Sequence, residues 1–387
     1  MKEIRLGVIG AGGRGHISHH AHNPENGVRL VAAADVADKP LDEFKQKFGA
    51  DTFVTKDYRE LLKRKDIDAV FVTSPDFMHE EQGVAALAAG KAVYCEKPLA
   101  ITLRGCDRLL STAMKHKTKL FVGHNMRYMA FVRKMKEIVD SGAIGRVTTA
   151  WCRHFINYGG DAYFKDWHSE RKYATGLLLQ KGAHDIDVIH WICGAYSKRV
   201  TALGALSVYD KCERRTADEP GVRSWHDANW PPLAQKKMSP VIDVEDQTMM
   251  LMELENGIMA SYQQCHYTPE PWRNYVFIGT EGRIENFGDH GEHCVIRLWN
   301  KRGPYREKGD IEYPVTHESE GHGGADPRIV EEFVRFVRDG GKTYASAVAA
   351  RYSVAAGYLA TMSLRAGGKP QIVPPVKKDM ISYFDNL

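Results

Sequence analysis

Several classes of protein are excluded by what the sequence lacks. Its 387 residues contain no uninterrupted apolar run of about 18, the minimum for a membrane-spanning helix, and the chain opens without a signal-peptide pattern. The 53 basic and 49 acidic residues are interspersed, which argues against nucleic-acid binding. The seven cysteines include no Cys-x-x-Cys pair, so neither a disulfide framework nor a zinc knuckle is expected. We therefore expect a cytoplasmic protein that contacts neither membranes nor nucleic acids.

A regular alternation of two patterns fills the first 123 residues. Short apolar runs rich in Val and Ala are typical of strands buried on both faces, and amphipathic helical patterns separate them. This order predicts a doubly wound parallel sheet. The predicted strands are Ile4–Ile9, Val28–Ala34, Ala69–Thr73, Ala92–Cys95 and Lys119–Val122, and the predicted helices are Leu41–Phe48, Tyr58–Lys63, Glu80–Ala89 and Leu103–His116.

A glycine-rich turn follows the first predicted strand and opens a helix. Its residues are Gly10, Gly12, Gly13, Arg14 and Gly15, and the acidic Asp35 lies 20 residues after the last glycine, at the end of the second strand. This context is that of a dinucleotide-binding turn in a Rossmann domain, where the helix N-terminus receives the pyrophosphate. An acid in this position accepts hydrogen bonds from a ribose diol and repels a 2′-phosphate, so we favour NAD over NADP. The alternative is a glycine turn in an α/β domain that binds no nucleotide.

No metal site is expected near this turn. His16, His19, His20 and His22 follow it, but no carboxylate or cysteine completes a ligand set, so a partly exposed polar face is the better account.

The pattern changes after residue 123. Longer runs alternate with a period of two, and Asn256-Gly257 between two of them indicates a hairpin turn, as in an antiparallel sheet. A helix is predicted at Gly176–Cys193, two more at Pro327–Arg338 and Ala345–Arg365, and a long loop at 211–240. We therefore predict an α/β protein with an N-terminal Rossmann domain (1–123) and a C-terminal α+β domain (124–387). The second domain would hold a large, mostly antiparallel open sheet for substrate binding and oligomerisation, with the terminal helix packing back on the first domain.

Three further motifs each follow a predicted parallel strand. They are Thr73-Ser-Pro-Asp-Phe-Met-His79, Cys95-Glu-Lys-Pro98 and Gly123-His-Asn-Met-Arg-Tyr128. Together with the glycine turn they make the whole chain resemble the Gfo/Idh/MocA family of sugar and cyclitol oxidoreductases. The resemblance implies a bound NAD, a homodimer or homotetramer formed through the open sheet, and a Lys97 that points into the active site beside the nicotinamide ribose. It further places Ser74, Pro75, His79, Glu96 and Asn125 at the cofactor.

The helix at Gly176–Cys193 carries the second catalytic segment of the resemblance. In the family an Asp and a His four residues apart on this helix face the nicotinamide, and helical spacing puts them on one face. Here His184 is present, but Gln180 stands at the Asp position and Lys181 follows it. Because Gln180 cannot act as a base, the acid–base work falls to His184, Lys181 or Lys97. We favour His184, since imidazole titrates near neutral pH.

Aromatic and basic residues precede this helix, as in sites that stack and hydrogen-bond a sugar. The basic residues motivate the hypothesis that the substrate carries an anionic group, such as a carboxylate or sulfonate. The candidate substrate-binding residues are Arg127, Tyr158, Lys165, Trp167, His168, Arg171, Gln180, His184, His266 and His322.

Three functions remain open at this point. The first is NAD-dependent oxidation of a secondary hydroxyl on a sugar, glycoside or cyclitol. The second, found among relatives that resemble this family, is glycoside hydrolysis by oxidation, elimination, hydration and reduction with recycled NAD, as in NAD-dependent sulfoquinovosidases. The third is a non-catalytic dinucleotide-binding protein, against which the presence of Lys97 and His184 argues.

Overall fold

The computed structural model describes residues 3–221, 227–289, 294–316 and 321–387. The chain forms two compact units: unit 1 comprises Met1–Met129, Glu318–Arg351 and Val376–Leu387, and unit 2 comprises Ala130–His317 and Tyr352–Pro375. The predicted domain boundary at residue 123 remains a prediction, and the first break between the compact units falls between residues 129 and 130.

The regular elements of the described residues are as follows. The strands are β1 (Ile4–Ile9), β2 (Val28–Ala34), β3 (Phe53–Thr55), β4 (Ala69–Val72), β5 (Ala92–Cys95), β6 (Leu120–Val122), β7 (Val147–Phe155), β8 (Ser197–Ala205), β9 (Gln247–Leu254), β10 (Met259–Cys265), β11 (Trp272–Gly279), β12 (Arg283–Phe287), β13 (Val295–Trp299), β14 (Ile311–Pro314) and β15 (Gln371–Ile372). The α-helices are α1 (Asp38–Phe48), α2 (Tyr58–Lys63), α3 (His79–Ala88), α4 (Leu103–His116), α5 (Ala130–Asp140), α6 (Gly159–Tyr163), α7 (Arg171–Ala174), α8 (Leu177–Gln180), α9 (Gly182–Cys193), α10 (Gly321–Asp339), α11 (Ala347–Arg365) and α12 (Lys378–Asp385).

Unit 1 is built on a parallel sheet with the strand order β3-β2-β1-β4-β5-β6. Its central strands are apolar on both faces because helices cover both, and β4 is fully buried along its length. The predicted doubly wound sheet is therefore confirmed. The order reverses between β1 and β4, which is where ligands bind in such sheets, at the carboxyl ends of the strands.

The segment after the glycine turn departs from the expected α-helix. Residues Gly13–Ala21 form a 3-10 helix, and their composition of glycine, histidine and serine is poor in helix-forming residues. Helix α10 packs against this segment and against the short 3-10 turn Asn125–Tyr128, so a part of the chain more than 300 residues away supports the cofactor turn.

Unit 2 contains a nine-stranded sheet with the order β14-β13-β12-β11-β7-β10-β9-β8-β15. Only β7 and β10 pair in parallel; the other pairs are antiparallel, as predicted. The hairpin turn at Asn256-Gly257 is confirmed between β9 and β10, where Gly257 has a φ of 85°. Of the predicted loop at 211–240, residues 222–226 lie outside the described part.

One predicted helix is divided in the structure. The helix predicted at Gly176–Cys193 forms α8 and α9, which are separated at Lys181, although Lys181 itself has right-handed helical angles (φ −92°, ψ −40°). The helix predicted at Pro327–Arg338 falls in the regular part of α10, because His322, Gly323 and Gly324 near its start have positive φ angles and are not helical.

The core of unit 1 contains an aromatic cluster centred on Phe333 of α10. Its fully buried ring lies 5.1 Å from Phe71 of β4, 5.5 Å from Tyr94 of β5 and 5.6 Å from Phe121 of β6. Rings at these distances pack edge-on and contribute beyond their buried area.

We predict that Phe333→Ala lowers the free energy of unfolding by about 3–5 kcal/mol, because it leaves a cavity between α10 and the sheet. Urea titration followed by circular dichroism measures this change. Val36→Ala, at a position that is 86% exposed in the same unit, is the control and should cost under about 0.5 kcal/mol. A similar small loss for both variants would contradict the packing role of Phe333.

Candidate active site

The glycine turn of unit 1 has the geometry of a dinucleotide cradle. Gly10 has a φ of 85°, and a Cβ on it would lie 2.6 Å from the backbone nitrogen of Ser74. A Cβ on Gly15 would lie 2.2 Å from the carbonyl oxygen of Gly10. At Gly13, by contrast, a Cβ would meet nothing within 4 Å, so the outer side of the turn is open. The turn is thus closed towards the protein and accessible where phosphates approach a helix N-terminus.

Asp35 completes this cradle. Its Oδ2 accepts a hydrogen bond from the Gly12 backbone at 3.2 Å, and its Oδ1 accepts one from the Ala37 backbone at 3.0 Å. The carboxylate is half-buried and retains acceptor positions for a ribose diol. The residues present therefore fit NAD: Gly12, Gly13 and Gly15 would hold the pyrophosphate, and Asp35 the adenosine ribose.

Arg14 is bound within unit 1. Its Nε donates to Glu96 at 2.7 Å, and its two terminal nitrogens donate to the two carboxylate oxygens of Asp326 at 2.7 and 3.0 Å. Burial acts to lower the pKa of Arg14, but the two carboxylates outweigh it and hold that pKa above its ordinary value. The same cation and His322 hold the pKa of Asp326 below its ordinary value against the effect of burial. The predicted contacts of Arg14 and Glu96 with the cofactor remain predictions.

Asp326 is a residue of this site that the sequence did not reveal. It also accepts hydrogen bonds from Asn125 Nδ2 at 3.0 Å and from His322 Nδ1 at 2.8 Å. His322, predicted to bind substrate, is thus placed in unit 1 beside the support of the cofactor turn. No sequence signal links Asp326 to Arg14, because 312 positions separate them.

The Glu96-Lys97-Pro98 turn is fixed by its own acid. Glu96 Oε2 accepts a hydrogen bond from the Lys97 backbone at 2.9 Å, while Oε1 receives Arg14 and, at 3.3 Å, the hydroxyl of Tyr94. The Lys97–Pro98 peptide is cis, and the Lys97 side chain is half-buried. The Glu96 carboxylate thereby connects the Glu96-Lys97-Pro98 turn to the glycine turn.

His79 lies in the core between two loops at the carboxyl edge of the sheet. It is fully buried, with Nδ1 2.7 Å from the Pro98 carbonyl oxygen and Nε2 2.9 Å from that of Ser74. The Ser74 hydroxyl donates to Gln82 Oε1 at 2.5 Å. These contacts join the Ser74-Pro75 loop to the Glu96-Lys97-Pro98 turn, and a direct cofactor contact of His79 remains a prediction.

Arg127 is also bonded inside unit 1. Its buried guanidinium donates to the main-chain oxygen of Tyr344 at 2.5 Å. The neighbouring Tyr128 hydroxyl donates to Glu332. Arg127 was predicted to bind substrate, and its guanidinium already donates a hydrogen bond to the protein backbone in this unit. The substrate contact remains a prediction.

In unit 2 the catalytic candidates lie where α8 meets α9. Gln180 ends α8, Lys181 occupies the break, and His184 lies in the first turn of α9; Gln180 and His184 are both buried and Lys181 is half-buried. The three residues thus lie within five positions of one another across the boundary between the two helices.

Asp185, next to His184, is a hub of this unit that the sequence did not reveal. It is fully buried, with Oδ2 3.0 Å from His154 Nδ1 and 2.9 Å from the Tyr262 hydroxyl, and Oδ1 3.1 Å from Arg273 Nε. The Tyr275 hydroxyl also donates to it. Burial acts to raise the pKa of Asp185, but Arg273 and His154 hold it below its ordinary value.

Strand register explains how these partners meet. Gln264 of β10 and Arg273 of β11 both lie opposite His154 of β7, and in the next row Tyr262 and Tyr275 lie opposite Cys152. The rows face the start of α9, which packs on β7 and β10. Alternate strand positions thus place one polar row at the end of an otherwise apolar sheet face.

Polar side chains without partners lie in the same region. His266 is fully buried, and neither of its ring nitrogens has a hydrogen-bond partner among the described residues; the same holds for Nε2 of the fully buried Gln264. Burial, with the charges of His154 and Lys181, holds the pKa of His266 well below its ordinary value, so its imidazole is neutral. A neutral imidazole offers one donor and one acceptor, as a hydroxyl ligand requires.

Two tyrosines, Tyr158 and Tyr163, lie on the same side of unit 2 as His266. The Tyr163 ring lies 5.3 Å from that of His266, edge-on, and 6.4 Å from that of Tyr158. Lys181 Nζ lies 6.0 Å from the Tyr163 ring centroid. Burial acts to lower the pKa of Lys181, but the phenols of Tyr163 and Tyr158 outweigh it and raise that pKa above its ordinary value.

Most of the predicted substrate cations are neutralised by nearby acids. Buried Lys165 pairs with Asp161 at 2.8 Å, and Arg171 pairs with Glu245 at 3.1 Å. His168 contacts Asp166 at 2.7 Å and stacks on Trp167 with ring centroids 3.6 Å apart. Arg171 and Glu245 are 74 positions apart, so no local pattern links them, whereas Asp161 and Asp166 lie four and two positions from their partners and were within reach of the sequence analysis.

Two further observations concern the chain as a whole. The described part contains no group of three or more His, Cys, Asp or Glu side chains placed to hold a metal ion, and the absence of a metal remains a prediction. Across residues 3–221, 227–289, 294–316 and 321–387, every helix is too short or too polar to cross a bilayer.

The parallel sheet and glycine turn of unit 1 define a dinucleotide-binding oxidoreductase. The chain belongs to the Gfo/Idh/MocA family, and its cofactor is NAD. The model of the oxidoreductase family's NAD-binding Rossmann fold matches residues 4–124, and that of the Gfo/Idh/MocA C-terminal domain matches residues 132–285.

Individual relatives agree with this assignment. YteT of Bacillus subtilis, described as an oxidoreductase, is 28% identical over 78% of this chain and 80% of its own length. Inositol 2-dehydrogenase of Burkholderia ambifaria is 34% identical over 194 residues, which span 49% of this chain and 55% of that enzyme. Among solved structures, myo-inositol 2-dehydrogenase of Lactobacillus plantarum has a TM-score of 0.71 at 21% identity, covering 96% of this chain and 100% of that one, a likeness of fold.

The buried histidine of the Asp185 network makes folding sensitive to acid. Burial and the charge of Arg273 lower the pKa of His154 from 6.5 to about 4. A histidine whose pKa is lowered on folding favours the folded state above pH 6.5, and this contribution is lost as the pH falls from 6.5 to 4.

We predict that the wild type loses up to about 3 kcal/mol more stability than His154→Gln between neutral pH and pH 4. Urea titrations at a series of pH values measure both slopes. The same exchange at exposed His116 is the control and should keep the wild-type slope. Parallel pH profiles for wild type and His154→Gln would contradict the assignment.

Proposed function

We propose that the protein oxidises a secondary hydroxyl of a sugar, glycoside or cyclitol with NAD. The observation that carries the proposal is a pair of buried side chains with unpartnered polar atoms beside the Asp185 network of unit 2, His266 and Gln264. His266 and Gln264 together offer at least two donors and one acceptor without a protein partner. Such groups are costly to bury unless a ligand or water satisfies them, and adjacent hydroxyls of a polyol have the complementary chemistry.

Each catalytic residue has a definite part in this proposal. Bound NAD supplies the acceptor for the hydride that leaves the carbinol carbon. His184 accepts the hydroxyl proton, and Lys97 polarises that hydroxyl with its ammonium group. Gln180 orients the substrate by hydrogen bonding, since an amide neither accepts nor releases a proton near neutral pH. The inositol 2-dehydrogenase relatives support a cyclitol or sugar as the substrate class.

The hypothesis that the substrate carries an anionic group rests on Lys181. Lys165 and Arg171 are paired with carboxylates, whereas Lys181 makes no salt bridge among the described residues. A partly buried ammonium without an acid favours an anionic partner. Comparing uronic acids with the matching neutral sugars tests this point: equal kcat/KM for both, in wild type and in Lys181→Met, would remove the anionic group from the proposal.

We predict that His184→Asn lowers kcat at least about 100-fold, because asparagine keeps a hydrogen-bonding side chain but cannot accept the proton. NADH absorbance with a panel of cyclitols, aldoses and glycosides measures the loss. The NAD dissociation constant, measured by calorimetry, should change by less than about twofold, which separates a catalytic effect from misfolding. Full activity of His184→Asn would reject the role of His184.

The replacement of an acid by Gln180, followed by Lys181, also favours a second candidate, the NAD-dependent glycosidase. In that cycle the cofactor is reoxidised within each turnover, so no NADH accumulates. A chromogenic glycoside distinguishes the two. Aglycone release without stoichiometric NADH would support the hydrolase, whereas NADH formation with an intact glycoside would support the dehydrogenase.

We also propose that the protein assembles through the outer face of the large sheet. Five large apolar side chains share this face by strand register, and each is more than half exposed: Leu203, Met249, Leu251, Met259 and Ile372. A contiguous apolar patch of this kind marks an interaction surface. A two-fold or higher symmetric homo-oligomer would cover it.

We predict that the double variant Met249→Glu and Leu251→Glu dissociates the oligomer, because charges cannot be buried in the apolar patch. Light scattering coupled to size-exclusion chromatography measures the mass. The control is Tyr305→Glu, at a position in unit 2 that is 74% exposed and lies outside the patch. A monomeric wild type, or an unchanged mass in the double variant, would contradict the proposal.

A further inference from the structure

Arg14 lies inside the cofactor turn, yet its guanidinium is held by protein carboxylates. All three of its contacts, at 2.7, 2.7 and 3.0 Å, end on Glu96 and Asp326, both of which are buried. The pair with Asp326 is bidentate, the geometry that fixes a guanidinium in direction as well as in distance. The backbone between Gly13 and Gly15 is therefore anchored at its one large side chain.

Asp326 is itself fixed from two other sides. Asn125 Nδ2 donates to its Oδ1 at 3.0 Å, and His322 Nδ1 contacts its Oδ2 at 2.8 Å. Its position in α10 is secured by the packing of that helix on Gly13–Ala21 and on Asn125–Tyr128. One carboxylate thus joins the glycine turn to the end of β6.

The contact between Arg14 and Asp326 matters for binding because the glycine turn is flexible. A turn with four glycines has high conformational freedom, and ordering it on ligand binding costs entropy. Groups that hold the turn in its binding geometry beforehand reduce that cost and raise affinity. Glu96 also orders the neighbouring Glu96-Lys97-Pro98 turn, since the carboxylate that binds Arg14 accepts a hydrogen bond from the Lys97 backbone N–H.

We propose that Asp326 is a positioning residue for NAD, acting through Arg14 to pre-order the pyrophosphate-binding turn. The inference concerns cofactor affinity alone and is independent of the substrate. It predicts that NAD binding, and not only stability, depends on a carboxylate supplied from the far end of the chain.

The test measures the NAD dissociation constant of Asp326→Asn by calorimetry, together with the melting temperature. We expect the constant to rise about tenfold or more, because asparagine cannot make the bidentate ionic contact. Asp107→Asn is the matched control: Asp107 pairs with buried Arg351 at 2.8 Å in the same unit, distant from the glycine turn in sequence. That variant should lower the melting temperature and leave NAD affinity unchanged.

A double-mutant cycle of Asp326→Asn and Arg14→Met tests whether Asp326 affects NAD binding through Arg14. If Asp326 acts through Arg14, Asp326→Asn adds little further loss of NAD affinity once Arg14 is replaced. Should Asp326→Asn fail to fold, Arg14→Lys keeps the charge but not the bidentate contact, and is expected to weaken NAD binding several-fold. A lower melting temperature with unchanged NAD affinity, in Asp326→Asn or in Arg14→Lys, would overturn the proposal.

Discussion

A buried carboxylate compensated by an arginine organises each compact unit. In unit 1, Asp326 holds Arg14 within the glycine turn; in unit 2, Asp185 holds Arg273 beneath the first turn of α9. An uncompensated charge in such surroundings would cost several kcal/mol, so each acid is surrounded by its cation and by further donors. Arg14 belongs to the glycine turn, and Asp185 is next in sequence to the catalytic candidate His184. In each unit the geometry around the candidate residues therefore depends on satisfying one buried charge.

Compensation of these charges also determines which groups remain available to ligands. Arg14, Lys165 and Arg171 are bound to protein carboxylates, although the sequence presents them as free cations. His266 and Gln264, which attract less attention in the sequence, retain buried donors and acceptors without a protein partner. A polyol bound there would complete a hydrogen-bond network that the protein leaves open.

Gln180, which stands where the family resemblance implies an Asp, is the last residue of α8. Lys181 follows it between α8 and α9, with its Nζ 6.0 Å from the centroid of the Tyr163 ring, and His184 lies in the first turn of α9. The proton acceptor of the family's usual pair is lost, while a cation is added near the remaining histidine. The dehydrogenase and the glycosidase differ in how they would use such a site, because only the first releases reduced cofactor in every cycle.

Local sequence patterns were sufficient for much of this protein. The parallel and antiparallel sheets follow from apolar spacing, and the NAD turn follows from glycines next to a strand and an acid 20 residues later. These features depend on neighbours in sequence, which a pattern records. The pairing of Arg14 with Asp326, the Asp185 network and the pairing of Arg171 with Glu245 depend on strand register and helix packing. Such contacts join residues that share a face only after folding, and for that reason the tertiary structure alone decided them.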